Sequence, residues 1–321
     1  MKKALVVGST GQDGSYLVEN LRARGYSIAG ISRLPGGASL PNSPSIDIQD
    51  KSQVLNLLSS FVPDEVYYLA AFHHSAEDVP LGAHELVQRS FEINTFAVNN
   101  FLHAIATEVP RSRLFYAASS HVFGDPSGDM QDEKSPLNPI DAYGISKTAG
   151  LHLCRHYRQF HKVYCSVGIL YNHESPRRSK AYVSQKVVRA AVRISRKLQD
   201  KLVIGDLDAT IDWGYAPDYV DAMWRILQLD EPQDFVVASG SLHSVRDLIQ
   251  IAFESLDLDW RSHVQVDSSL TRKKRTGVLQ GNTALLESCT GWRPQTSFRE
   301  MILEMVNAEL QNDPIRALPK T

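Results

Sequence analysis

Ala4-Leu5-Val6-Val7-Gly8-Ser9-Thr10-Gly11-Gln12-Asp13-Gly14 decides how the chain is read. An apolar run leads into glycines at regular spacing, and the amphipathic segment Ser15–Arg24 follows as a helix. Glycines permit a tight turn and a close approach of backbone to a ligand. The amides at the start of the following helix suit a pyrophosphate. Gly8, Thr10, Gly11, Gln12, Asp13 and Gly14 are therefore candidates for holding a dinucleotide. Ser27–Ile31 reads as the next strand and runs into Ser32-Arg33. A carboxylate at that point would receive ribose hydroxyls; a hydroxyl and a guanidinium suit a 2′-phosphate instead, which predicts NADP. Asp47 and Ile48 are placed against the adenine, and Leu69, Ala70 and Ala71 complete the cofactor-binding set.

Working outward, the alternation continues. Val54–Phe61 reads as a helix, Glu65–Leu69 as a strand, and Phe91–Thr107 as one long helix. Leu114–Ala118 reads as a strand, Tyr143–Phe160 as a helix, and Tyr164–Leu170 as a strand. Short apolar runs between amphipathic segments are βαβ units around a parallel sheet, whose strands are apolar on both faces. Beyond Leu170, Tyr171–Lys180 is polar and turn-rich. Helices are expected over Ser184–Leu198, Pro217–Leu229, Val245–Phe253 and Phe298–Leu310, around a strand at Phe235–Val237. The division expected is a dinucleotide-binding domain over residues 1–170, with segments near 205–238 interleaved, and a smaller domain over 171–321.

Composition narrows the class. The chain has 321 residues, 43% of them hydrophobic and 22% charged, which is ordinary for a globular protein longer than one compact domain. A net charge of −2 offers no basic field for nucleic acid. No apolar run approaches the ~20 residues of a membrane span, and Met1–Val7 is too brief for a signal peptide. Cys154, Cys165 and Cys289 are widely spaced, so neither a disulfide framework nor a thiolate metal site is expected. His73 and His74 ahead of Glu77 and Asp78, or His152 with His156, do not supply converging zinc ligands by spacing. The expectation is a cytoplasmic enzyme or binding protein without metal, nucleic-acid or membrane partners.

The chemistry lies farther along. In Tyr143-Gly144-Ile145-Ser146-Lys147 the phenol and the amine are four residues apart, on one helix face. A nearby ammonium stabilises a phenolate and lowers the tyrosine from its usual ~10. Such a phenol can exchange a proton with a sugar hydroxyl while hydride moves to a nicotinamide. Ser119, after an apolar strand, adds a hydroxyl donor.

With these residues the chain resembles the extended short-chain dehydrogenase/reductase family, Ser119, Tyr143 and Lys147 filling its Ser/Thr, Tyr and Lys positions. Tyr171-Asn172-His173-Glu174-Ser175-Pro176-Arg177-Arg178 is similar to a segment of GDP-mannose 4,6-dehydratases. So are Gly205-Asp206-Leu207-Asp208-Ala209, Asp212-Trp213-Gly214, Asp218-Tyr219-Val220, Asp234-Phe235-Val236 and His243-Ser244-Val245-Arg246. The resemblance implies an α/β fold: a Rossmann-type doubly wound parallel sheet with a smaller α/β substrate-binding domain. It implies NADP, a GDP-linked nucleotide-diphospho-sugar substrate, and a homodimer or homotetramer. His173 and Arg178 would contact the cofactor, and Asn172, Val183 and Lys186 would line the sugar-nucleotide site. Arg272 would pair with the diphosphate.

The chain departs from that pattern at several positions. The dehydratase motif has a Glu where this sequence has His121, within Ser119-Ser120-His121-Val122-Phe123-Gly124. That Glu takes the C5 proton and helps water leave C6 once C4 is a ketone. Imidazole can exchange protons near neutral pH, so His121 is taken as its replacement. His73 stands where the family has a serine near the sugar, Ile211 where it has an arginine, and Arg272-Lys273-Lys274-Arg275 where it has an Arg-Pro-x-acid run. Three readings follow: a GDP-mannose 4,6-dehydratase-type enzyme, a GDP-4-keto-6-deoxy-sugar reductase or epimerase, and a non-catalytic NADP-binding sensor.

Overall fold

The computed structural model describes residues 1–32, 45–74, 80–128, 130–270 and 277–312. Its main sheet begins with β1 (Lys3–Val7), β2 (Ser27–Ile31), β3 (Glu65–Tyr68), β4 (Arg113–Ser119) and β5 (Cys165–Leu170). Short strands follow: β6 (Asn172–Glu174), β7 (Leu202–Ile204), β8 (Thr210–Tyr215), β9 (Asp234–Val237), β10 (Leu242–Ser244) and β11 (Val264–Val266). The large sheet is parallel throughout, in the order β2-β1-β3-β4-β5-β9. The strand order reverses direction beside β1, so the loops after β1 and β3 open a crevice at the carboxyl edge of the sheet.

Two helical layers cover this sheet. On one face α2 (Lys51–Phe61), α4 (Ala97–Glu108) and α5 (Ala142–His161) pack on Leu5, Val7, Val66, Tyr68, Leu114 and Tyr116. On the other, α1 (Gln12–Ala23) and α7 (Ala216–Ile226) cover Ala4, Val6, Tyr67, Phe115 and Ala117. Successive residues of one strand thus enter opposite cores, which is why these strands read as unbroken apolar runs.

The segment expected as one helix over Phe91–Thr107 is longer and interrupted. It starts as α3 (Ala83–Phe91) and passes through a π-wound stretch, Glu92–Phe96, into α4. Asn94, fully buried in that stretch, explains the wider turn. Its Nδ2 donates to the Phe72 carbonyl and Ser146 Oγ, both at 3.0 Å, and its Oδ1 accepts from the Phe72 amide at 2.9 Å. Its own carbonyl, released by the π geometry, accepts from Tyr116 Oη at 2.7 Å. One side chain thereby ties the loop after β3 to α5.

The smaller lobe packs α6 (Val183–Ser195), α8 (Val245–Glu254) and α10 (Phe298–Asn312) around Val188, Val192, Leu248, Phe253, Ile302 and Met305. The chain returns from this lobe to the large sheet through α7 and β9, and α9 (Ala284–Thr290) sets Leu286 into the core beneath them. Tyr171–Lys180 holds more than turns: β6 within it pairs in parallel with β8, His173 opposite Gly214. Its Asn-His-Glu residues carry no apolar alternation that sequence could register as a strand.

Candidate active site

The glycine turn is built as its sequence requires. Gly8 adopts φ +94°, a left-handed region that side chains disfavour, and a Cβ there would lie 2.9 Å from the Ala70 nitrogen. A Cβ on Gly14 would sit 2.1 Å from the Gly8 carbonyl oxygen. The turn and the first turn of α1 therefore fold directly onto one another, and Gly8 lies against Leu69-Ala70. Gly11 caps α1 without any side-chain acceptor for the first amides. This cradle fits the pyrophosphate of a dinucleotide.

A second contact fastens the turn to the segment after β5. Gln12 Nε2 donates to the His173 carbonyl at 3.1 Å, and Gln12 Oε1 accepts from Ser175 Oγ at 2.8 Å. His173 Nε2 lies 2.9 Å from Asp13 Oδ1, while its Nδ1 lies 2.7 Å from the Tyr171 carbonyl. Both partners accept, so both ring nitrogens carry protons. Burial opposes each charge, yet the pair prevails: Asp13 is held below its usual range and His173 above its own. Arg178 stacks on Tyr182, its guanidinium carbon 3.6 Å from the ring centroid, and pairs with Glu174 at 3.3 Å. The atom in that pair is Nε, which faces Glu174 Oε2 without hydrogen-bond geometry.

Beyond this, the loops after β3 and β4 bring four rings together. His73 meets Tyr143 edge-on with centroids 4.8 Å apart, and His121 meets Tyr143 edge-on at 5.5 Å. Tyr182 Oη lies 3.1 Å from His73 Nδ1. The Ser119 hydroxyl acts on the Tyr143 phenol and favours its ionised form, and Ser119 Oγ accepts from the His121 amide at 3.3 Å. His121 Nδ1 lies 2.9 Å from Asp141 Oδ2. Ser119, His121, Tyr143, Lys147 and His73 thus gather at one edge of the sheet, although they come from three separate stretches of chain.

One expectation is corrected. Lys147 was expected to lower the Tyr143 phenol. Instead, desolvation and the neighbouring Tyr182 push that phenol above its ordinary value, against the Ser119 hydrogen bond and the Arg178 charge. Lys147 is itself fully buried, donates to the Ala117 carbonyl at 2.7 Å, and sits 5.8 Å from the Tyr143 ring centroid. Burial brings its amine down to about 7.

That shift has a sign that can be measured. An unfolded lysine titrates near ~10.4, so between about pH 7 and 10 the unfolded chain binds the proton and the folded chain does not. Raising pH through that window stabilises the fold. Lys147→Met should therefore exceed the parent in stability by an amount on the order of 4 kcal/mol below about pH 7, with the gap closing toward about pH 10. Denaturant midpoints of both proteins across this range test it. Parallel curves would show that Lys147 keeps its ordinary affinity for the proton.

The remaining candidates are placed less centrally. The Asp47 carboxylate receives the Gln49 amide at 2.9 Å, and the Ile48 carbonyl receives Asn100 Nδ2 at 3.1 Å, both within the turn before α2. Ser32 follows β2. Asn172 is exposed on β6, Val183 begins α6 and packs on the smaller lobe's core, and Lys186 lies one turn farther along that helix. Arg33, Glu77, Asp78 and Arg272–Arg275 lie outside the described residues. Sequence reasoning missed Asn94, Asp141 and Tyr182. Asp141 carried one legible signal, an acid just ahead of a helix.

Comparison with known proteins decides the family. The family model for GDP-mannose 4,6 dehydratase matches residues 5–305. The chain belongs to the GDP-mannose 4,6-dehydratase family. A family member from Arabidopsis thaliana, GDP-mannose 4,6 dehydratase 2, is 34% identical over 97% of this chain and 87% of its own. GDP-mannose 4,6-dehydratase of Vibrio cholerae is 32% identical over 99% of this chain and 96% of its own. Among solved structures, RMD from Pseudomonas aeruginosa complexed with NADPH superposes with a TM-score of 0.82 at 22% identity, covering 97% of this chain and all (100%) of that one. A dTDP-glucose 4,6-dehydratase from Bacillus anthracis in complex with NAD gives 0.81 at 17% identity, with 97% of each chain covered. These last two place the fold, which is Rossmann-type α/β. A member of the GDP-mannose 4,6-dehydratase family is a nucleotide-sugar-modifying enzyme, and the family binds a nicotinamide cofactor.

Proposed function

We propose that the protein is an NADP-dependent GDP-mannose 4,6-dehydratase-type enzyme that converts a GDP-hexose to its 4-keto-6-deoxy form with loss of water. The observation that carries this reading is the meeting of the Ser119–Tyr143 hydroxyl pair with a second proton-exchanging side chain, His121. The glycine turn, Gln12, Asp13, His173 and Arg178 would hold the dinucleotide, with Asp47, Ile48 and Leu69 to Ala71 beside them. Ser32-Arg33 would select the 2′-phosphate. The division of labour follows: residues 1–170 with the returning α7 and β9 bind cofactor, and residues 171–321 bind the nucleotide sugar through Asn172, Val183, Lys186 and Arg272. Held there, a nicotinamide would supply the hydride exchange between C4 and C6.

The chain's own residues manage the protons. Tyr143 takes the proton of the C4 hydroxyl, Ser119 donates to the C4 oxygen, the Arg178 charge favours the phenolate, and Lys147 orients the ribose. The C4 ketone acidifies the adjacent C5–H, and His121 takes that proton. Two protons are taken, from O4 and C5. Two are given back, one to the departing C6 hydroxyl and one to C5. The sum is the substrate less one water.

A reductase or epimerase of the same fold is the second reading. It is favoured by His121 in place of a carboxylate and by Ile211, which packs against the smaller lobe's apolar core and offers no charge to a phosphate. Cofactor consumption separates the reductase from dehydration and epimerisation, which both recycle NADP, and loss of water separates those two. Under the first, one equivalent of NADP supports many turnovers without net reduced nicotinamide; steady oxidation of NADPH on a 4-keto sugar nucleotide would replace it with the reductase. The proposal includes a cytoplasmic homodimer or homotetramer, and the exposed Ile145 and Phe160 on α5 support an interface there.

A further inference from the structure

We propose that Asp141 is a positioning residue that fixes the tautomer and place of His121, so that Nε2 is the nitrogen that exchanges protons with substrate. The proposal deepens the reading above and rests on it.

Three observations carry it. A carboxylate only accepts hydrogen bonds, so the 2.9 Å contact between His121 Nδ1 and Asp141 Oδ2 requires the proton on Nδ1. The neutral ring then carries its lone pair on Nε2, across the ring from Asp141. Second, Asp141 is itself immobilised, because Oδ1 caps α5 by accepting from the Gly144 amide at 2.7 Å. A cap needs one oxygen only; the other reaches His121. Third, the His121 backbone lies against the same helix start, where a Cβ on Gly144 would stand 2.6 Å from the His121 carbonyl oxygen.

The consequence is geometric. The helix that carries Tyr143 and Lys147 also carries the carboxylate that holds His121, so the two proton-exchanging groups move as one unit. The rings facing His121 are Tyr143 and His73, edge-on at 5.5 and 6.3 Å. Neither supplies the fixed negative charge that Asp141 does. When Nε2 takes the C5 proton, that carboxylate faces the charge the ring acquires, as an orienting acid does beside a catalytic imidazole.

The test uses the full chain labelled with nitrogen-15 in histidine, and an Asp141→Ser variant that keeps a helix-capping hydroxyl but removes Oδ2. In the parent, the His121 ring nitrogens should report the Nδ1–H form; in the variant that preference should be lost. With GDP-mannose and NADP, kcat should fall at least about tenfold in the variant while KM stays within about twofold. In a His121→Ala background, Asp141→Ser should cost nothing further. An Nε2–H tautomer in the parent would overturn the proposal, as would an added loss in the His121→Ala background. If GDP-mannose is not dehydrated at all, the dehydratase reading fails, and the nitrogen spectra alone still decide whether Asp141 sets the tautomer.

Discussion

Tyr143→Phe should lower turnover of the sugar nucleotide by about 10³-fold or more, with cofactor binding intact, if the phenol is the C4 acid–base. The ring is what packs: it meets His73 at 4.8 Å and His121 at 5.5 Å, and phenylalanine keeps both contacts. Only the hydroxyl, on which Ser119 acts, is lost. The phenol's desolvation also disappears, so the variant should be no less stable than the parent. Single-turnover formation of reduced nicotinamide is the direct readout. Retention of that rate within about tenfold would move the role elsewhere, and Tyr182, whose hydroxyl lies 3.1 Å from His73 Nδ1, would be the next group to test.

The second large effect separates the two halves of the chemistry. His121→Ala should cut water elimination by about 10²–10⁴-fold while C4 oxidation persists, so reduced nicotinamide should build up instead of cycling. The ring stands beside Tyr143, and its hydrogen bond runs to Asp141 at the start of α5. His121→Glu should restore elimination, because a carboxylate at this position can take the C5 proton. A parent that is inert beside a His121→Glu variant that eliminates water would show that this histidine replaced the dehydratase base without its activity. Equal loss of oxidation and elimination in His121→Ala would instead assign His121 to substrate placement.

The legible part of this molecule is the part whose burial is two-sided. β1 through β5 could be read because each alternate residue enters an apolar core, and the glycine turn because Gly8 and Gly14 sit where a Cβ meets backbone. Tyr143 and Lys147 were legible through helical spacing. β6 and β10 were not, being three residues long and partly polar. The link between His121 and Asp141 spans twenty positions of chain, and that between His73 and Tyr182 more than a hundred. Such contacts exist only once parallel strands deliver their loops to one edge. Asn94 was hidden for another reason: an asparagine inside an apolar helical run reads as an interruption, while its actual work is to tie the Phe72 backbone to the Ser146 hydroxyl on α5. The titration of Lys147 and Tyr143 was misjudged because spacing reports proximity, whereas desolvation depends on the whole surrounding core.

The central claim is that this site removes water from a GDP-hexose. The most direct measurement is the mass of GDP-mannose after incubation with the purified protein and NADP. The account predicts a sugar nucleotide lighter by one water, formed without net consumption of NADP. A product of unchanged mass, with cofactor bound and Tyr143 intact, would contradict it.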